Sequence, residues 1–360
     1  EEISQGAGRI AGYLGLSNLI MFYDSNDIQL STTTNEVTTE DTAKKYEAWG
    51  WHVLTIQGND QEAIRGALKL GLAEAERPTL IIGKTLMGKG TRKEDGTMFE
   101  GEVELHGQPI SGAGGSFAKT IEGLGGDPEN PFTIFPDVAE YYDHVLKQKK
   151  KDAKKRKDTY KAWANEQPAK AEKYQFFLSG KLPELDWNAV QPKANAATRN
   201  ASGAVLGYLA GKVENLIVAS ADLSNSDKTD SFLKKTTAFK KGDFSGAFLQ
   251  AGVSELTMAA LATGMALHGG VIPACATFFA FSDYMKPAMR VCALMEQQVI
   301  FIWTHDAFRV GEDGPTHQPV EQEAQLRLLE QLKTTPAKTP WSPYAPPLAG
   351  KRWPAGNWPS

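Results

Sequence analysis

Short apolar runs alternate with longer amphipathic stretches along this chain, the rhythm of an α/β protein. Residues 3–15 place Ile, Ala, Gly and Leu at near-helical spacing and predict a helix, and the apolar run 19–23 predicts a strand. Asp24-Ser25-Asn26-Asp27 then reads as a turn by composition. Residues 40–49 and 61–76 carry helical periodicity, with Asp60 positioned to cap the second, and residues 51–54 between them predict a strand. Residues 79–83 predict a buried strand that empties into Lys84-Thr85-Leu86-Met87-Gly88-Lys89-Gly90. That loop resembles a phosphate cradle but has neither the spacing nor the Lys-Ser/Thr ending of a Walker sequence. Residues 127–196 read as a connector, in which KQKKKDAKKRK (147–157) predicts a solvated helical face. A second unit begins near Asn195, with a helix through Ala210, a strand over 216–219, a helix from Glu255, and strands over 271–280 and 299–303.

The last of these strands opens into THDAFRVGEDGPTHQP. Gly311, Gly314 and Pro315 oppose a helix and favour a folded-back loop, which carries His305, Asp306, Glu312, Asp313 and His317. A strand that ends in a Gly-rich loop of imidazoles and carboxylates is where parallel sheets usually put their sites, and His titrates nearest neutral pH. The strand over 216–219 likewise ends in SADLSNS, hydroxyls and an acid suited to a ligand as well as to a turn. Glu255, at the start of its helix, has the ordinary role of a first-turn carboxylate favoured by the helix dipole. Phe278, Phe281 and Tyr284 recur at a spacing of three, the pattern of a packed stripe. His52 reads as structural, and His106 in HGQPI as one imidazole in a Gly-rich loop.

Composition narrows the class without changing the fold. A length of 360 residues with 34 glycines suits two or three domains. A net charge of −4 gives no footprint for nucleic acid. Cys275 and Cys292 lie in apolar surroundings and read as packed thiols. No run is apolar enough for a signal peptide or a membrane span, which points to a reducing, cytoplasmic setting. From Thr334 the chain becomes dense in Pro and Trp and loses periodicity, so no helix or central strand is expected there.

Several segments, in order, resemble the transketolases: EEISQGAGRIAGYLGLSNLIMFYDSNDI, KKYEAWGWHV, HGQPIS, ATRNAS, SADLSNSD, GVSELTMAALATGMALHGG, TFFAFSDYMKPAMR and THDAFRVGEDGPTHQPVEQ. The resemblance covers residues 1–333. It implies two parallel-sheet α/β/α domains of the thiamine-diphosphate-binding fold, both incomplete. A diphosphate-binding part would span 1–126, a linker 127–194 and a pyrimidine-binding part 195–333, with 334–360 a disordered tail foreign to the family, appended or read in another frame. It further implies reversible ketol transfer from a ketose phosphate such as xylulose 5-phosphate to an aldose phosphate such as ribose 5-phosphate, in the pentose phosphate pathway. The cofactor would be thiamine diphosphate with Mg2+, or Ca2+ or Mn2+, and the protein a homodimer with sites at the subunit interface.

By the same resemblance Asn26 and the Ile28 carbonyl hold the cation, while the family's Gly-Asp-Gly would fall before Glu1. Glu1 matches a glutamate that links the two active sites of the dimer. His106 lies at the diphosphate and the reacting carbon, Asp222 near the cofactor, and Glu255 on the aminopyrimidine nitrogen. Phe278, Phe281 and Tyr284 wall the pyrimidine. Arg199 and Ser226 bind the substrate phosphate, His305 assists phosphate or substrate binding, Asp313 contacts a hydroxyl of the donor sugar, and His317 lies near the reacting groups in proton transfer. Two other readings stand beside this one: another thiamine-diphosphate enzyme such as a deoxyxylulose-phosphate synthase, and a non-catalytic fragment that needs a partner chain.

Overall fold

The computed structural model of the protein describes residues 2–306, 310, 311 and 313–329. Glu1, Glu312 and the Pro/Trp-rich tail from Thr334 therefore lie outside the described residues. The chain forms two compact units, one of Ala11–Glu166 and one of Gln167 onward together with α1 (Glu2–Leu14) as far as Ile10.

The first unit contains β1 (Ile20–Ser25), α2 (Thr42–Ala48), β2 (His52–Gln57), α3 (Gln61–Ala73), β3 (Thr79–Lys84), α4 (Phe117–Gly123) and α5 (Pro136–Glu166). Its three strands are parallel, in the order β1-β3-β2. Central β3 is a continuous apolar run because both its faces are covered. Leu80 and Ile81 have no exposed surface, and each such burial is worth about 1.5–3 kcal/mol. Ala11, Tyr46, Trp51 and Ile82 complete the core around Leu80. The helix starts are fixed by side chains: the Asp41 carboxylate accepts the Lys44 N–H, and that of Asp60 accepts those of Glu62 and Ala63.

Two boundaries differ from the sequence expectation. Strand β1 continues through Asp24 and Ser25, which composition assigns to a turn, because they pair in register with Gly83 and Lys84. Ser25 is buried there and accepts a hydrogen bond from the Lys84 ammonium at 2.9 Å, so the turn comes at Asn26 and Asp27. Helix α3 stops at Ala73 rather than at residue 76. Glu74 leaves helical geometry and turns its carboxylate to the Glu76 N–H and the Arg77 guanidinium, at 2.9 and 2.8 Å, which hold it at a pKa of about 2. Near the strand ends the packing is close: a Cβ on Gly83, in β3, would stand 2.2 Å from the Phe22 ring, and one on Gly58, just past β2, 2.8 Å from the Gly83 Cα. A side chain at Gly58 would meet backbone, and one at Gly83 would have to displace the Phe22 ring. Helix α5 has 31 residues and buries none of them. As the charge block predicted, it is a solvated face, carrying i,i+4 pairs of Asp143 with Lys147 and of Lys154 with Asp158.

The second unit continues with α6 (Pro168–Leu178), α7 (Thr198–Leu209), β4 (Leu216–Ser220), α8 (Ser224–Asp227), α9 (Asp230–Leu233), β5 (Phe248–Gln250), α10 (Glu255–His268), β6 (Ile272–Phe278), α11 (Ser282–Leu294), β7 (Ile300–Thr304) and α12 (Gln322–Leu329). Four parallel strands lie in the order β5-β4-β6-β7. The chain leaves β4 for one edge and returns to β6 on the other side, and that reversal opens a crevice at the carboxyl ends of β4 and β6. Leu206, Val213, Leu216, Val218, Phe232, Phe248 and Ala274 form the core on one side. Helices α10 and α11 pack on each other, and α10 on β6. Cys275 and Cys292 are buried free thiols, as their apolar surroundings implied, and burial pushes both thiols up. Both units are thus parallel α/β layers, the predicted class.

Candidate active site

The residues singled out in the second unit follow the strand ends in turn. Asp222 and Ser226 come after β4, Glu255 after β5, Phe278, Phe281 and Tyr284 at and after β6, and His305, Asp313 and His317 after β7. Phe278, the last residue of β6, lies with its ring centroid 3.6 Å from that of His305 and stacks on Phe281 at 5.8 Å. His317, in a short 3-10 turn at Pro315–His317, meets the Phe281 ring edge-on at 5.1 Å and Phe278 at 6.1 Å. Phe278 and Phe281 thus share one aromatic face with the two imidazoles. Tyr284 reaches only its rim, 6.1 Å from Phe281 and 62 % exposed, because α11 carries it outward.

His305 is the hinge between this aromatic wall and a cation. Arg199, in the first turn of α7, brings its Nη1 to 2.6 Å from His305 Nε2 and donates from the same nitrogen to the Ser226 carbonyl at 3.4 Å. A guanidinium only donates, so Nε2 must accept and the proton of a neutral imidazole sits on Nδ1, 3.0 Å from the Thr304 hydroxyl. Burial first, and the Arg199 charge second, lower the imidazole pKa, against the opposite pull of Asp313 and Asp306. His305 itself has a left-handed backbone, φ 56°, strain of the kind that collects at functional sites.

Glu255 opens α10 and is 7 % exposed. Burial pushes its carboxyl up, and its own backbone N–H and the nearby Thr277 hydroxyl pull the other way without cancelling the shift. Thr277, fully buried in β6, nevertheless meets no partner at hydrogen-bonding geometry. A buried carboxyl thus sits at the helix start, next to a hydroxyl with capacity to spare.

The first unit supplies a different set. Asn26 Oδ1 accepts the Ile28 N–H at 3.0 Å across Asp27, whose φ is +63°. The Lys84 ammonium reaches Asp27 at 3.2 Å, and the Thr85 hydroxyl donates to Asp24. His106 lines a cavity of about 490 Å³ with Leu30, Val103, Glu104 and Gln108, and its Nδ1 is buried without a partner. Among the described residues no cluster of three or more His, Cys, Asp or Glu side chains is arranged to hold a metal.

Sequence reasoning missed Asp227. It is fully buried and accepts hydrogen bonds from Ser220 and Thr229; in sequence it is one more acid in a polar run, and only the placement of Ser220 and Thr229 around it could have marked it. Asp222 was expected near a cofactor and is exposed at the end of β4 with φ 62°. Ser226 meets Arg199 through its backbone carbonyl rather than its hydroxyl.

Comparison with known proteins gives two family matches. Residues 1–183 match the family described as the thiamine diphosphate binding domain of transketolase, and residues 194–342 match its pyrimidine binding domain. A transketolase of Halalkalibacterium halodurans is 39% identical over 338 residues, 92% of this chain and 49% of that protein. One of Streptococcus pyogenes is 36% identical over 334 residues, 92% of this chain and 44% of its own length. Among solved structures, transketolase from Leishmania mexicana superposes with a TM-score of 0.83 at 32% identity, covering 91% of this chain and 48% of that one. The Pichia stipitis transketolase complex with sedoheptulose 7-phosphate gives 0.82 at 32% identity, covering 91% and 49%. The chain spans about half the length of the curated relatives it matches.

Proposed function

This chain belongs to the transketolase family, and from that premise we propose that the protein moves a two-carbon ketol unit from a ketose phosphate such as xylulose 5-phosphate to an aldose phosphate such as ribose 5-phosphate. The single observation that carries this reading is the join at His305, where an arginine suited to a phosphate meets an aromatic wall suited to a planar heterocycle. The guanidinium fork matches two oxygens of a phosphate dianion. A neutral His305 adds a polar edge to the same subsite.

The residues fit thiamine diphosphate and a divalent cation. Bound there, thiamine diphosphate supplies an electron sink for breaking a bond beside a carbonyl. Phe278 and Phe281 would cover a flat ring. Glu255, whose carboxyl burial pushes up, would share a proton with a ring nitrogen. His106 has a buried ring nitrogen with no protein partner and borders a cavity, which suits the oxygens of a diphosphate. Asn26 and the Ile28 carbonyl are oxygen donors of the kind magnesium, calcium or manganese takes, and the remaining ligands would come from other groups. His317, against Phe281, and Asp313 would face the sugar hydroxyls, His317 as the group that moves a proton.

We place the protein in the pentose phosphate pathway of the cytoplasm, as a homodimer. No helix among the described residues is long and apolar enough to cross a membrane. The test is a donor screen with thiamine diphosphate and Mg2+. Xylulose 5-phosphate is expected to be consumed with ribose 5-phosphate as acceptor, and pyruvate to be inert. Arg199→Ala should raise KM for the sugar phosphate about 30-fold, the loss of roughly 2 kcal/mol for a charged hydrogen bond. Turnover of pyruvate instead would point to a synthase. Activity that appears only when a separate polypeptide carrying a Gly-Asp-Gly segment is added would favour a binding fragment.

A further inference from the structure

The loop after β4 is fastened by a buried carboxylate that the proposed reaction does not use. Ser220, Asp227 and Thr229 have no exposed surface. Asp227 Oδ2 accepts from the Ser220 hydroxyl at 2.7 Å, and Oδ1 accepts from both the Thr229 N–H at 2.9 Å and its hydroxyl at 2.7 Å. Ser220 Oγ accepts in turn from the Leu223 N–H at 3.2 Å. One carboxylate therefore ties the last residue of β4 to Thr229, which directly precedes α9, and closes 220–229 into a ring.

Such a tie is costly. Burial pushes the Asp227 carboxyl up, and the Ser220 and Thr229 donors pull it back only in part. Well-packed apolar residues would fill the same volume at least as stably. The ring also holds two non-glycine residues left-handed, Asp222 at φ 62° and Lys228 at φ 68°, each at about 1 kcal/mol or more. What the ring fixes is Ser226, whose carbonyl takes one hydrogen bond from Arg199 Nη1 while His305 Nε2 takes the other. The guanidinium is aimed from two sides, and one of them is set by Asp227.

We propose that Asp227 is a positioning residue: through Ser220 and Thr229 it holds the Ser226 carbonyl so that Arg199 is aimed at the phosphate of the sugar substrate. This rests on reading Arg199 as the phosphate ligand, and the test separates the two ideas. In the full chain with 15N-labelled histidine, the His305 Nε2 resonance reports the Arg199–His305 pair with no ligand present, and titration with inorganic phosphate reports the subsite. Asp227→Ala is expected to move that resonance away from its hydrogen-bonded position, to speed amide exchange across 220–229 while α10 stays protected, and to weaken phosphate about tenfold. Asp227→Asn keeps an oxygen for Thr229 and should recover most of the affinity. A merely structural role would lower stability without moving the His305 resonance. A folded Asp227→Ala protein with unchanged resonance and exchange overturns the proposal. If the wild-type chain ignores phosphate and Arg199→Ala changes nothing, the phosphate reading fails, and the resonance still decides the role of Asp227. Should Asp227→Ala not fold, Ser220→Ala and Thr229→Val each remove one arm, and the same readings decide.

Discussion

The carboxyl ends of the two sheets are built on opposite principles. Around the ends of β4, β5, β6 and β7 the chain relies on side chains: stacked rings, an imidazole fixed in one tautomer, a guanidinium with two acceptors and two buried carboxyls. After β1 and β3 it relies on backbone. Gly58, just past β2, lies against the Gly83 backbone of β3, and the loop that carries His106 bends through Gly88, Gly90, Gly101 and Gly107, all at positive φ. The first arrangement suits a site that must discriminate between proton states and hold a variable substrate. The second suits the capture of a constant, strongly charged group, where close approach matters more than side-chain chemistry.

The largest effect should separate chemistry from folding on the side-chain end. Glu255→Ala should lower cofactor-dependent turnover about 10³-fold, within the usual range for a group that moves a proton, measured as initial rate at saturating donor. Near wild-type activity would remove Glu255 from the site. Glu255→Gln should meanwhile raise the thermal midpoint at pH 7. Burial raises the native pKa, so the folded chain holds this proton more tightly than the unfolded one, and stability falls as pH rises from the unfolded value to the native one. Below about pH 4 the two proteins should melt alike.

On the backbone end a methyl group should do what a whole side chain does on the other. Gly83→Ala drives a Cβ toward Phe22 and Gly58, and should cost about 1–3 kcal/mol in denaturant unfolding of the first unit. A silent Gly83→Ala would break the contrast drawn between the two ends. The smallest effect concerns His305. Its lowered pKa means that the unfolded chain takes up a proton the native imidazole resists, so stability is lost as pH falls below about 6.5. His305→Asn should flatten that part of a stability–pH profile, and an unchanged slope would show that the folded chain does not hold this imidazole below its ordinary pKa.

The two ends also differ in how legible they were. Rings at a spacing of three and a pair of histidines in a Gly-rich loop announce themselves in a sequence, and the structure gathers Phe278, Phe281, His305 and His317 at one strand end. Central strands such as β3 were legible because burial on both faces leaves an unbroken apolar run. Strand β5 was not, since three residues between polar loops carry no period. Nor was Asp227: a buried acid looks like any other until the donors that justify it are in view. Asp24 and Ser25 were misread for a related reason, because register with β3 outweighs their preference for turns.

Helix α5 has a thermodynamic consequence. At 31 residues it is about 46 Å long, yet none of its side chains is fully buried, so its melting releases less apolar surface to water than that of a core helix of the same length. The heat-capacity change of unfolding tracks that surface. Calorimetry of this chain would therefore register a smaller protein than its length declares, with α5 contributing a broad, shallow transition beneath the sharper ones of the two sheets.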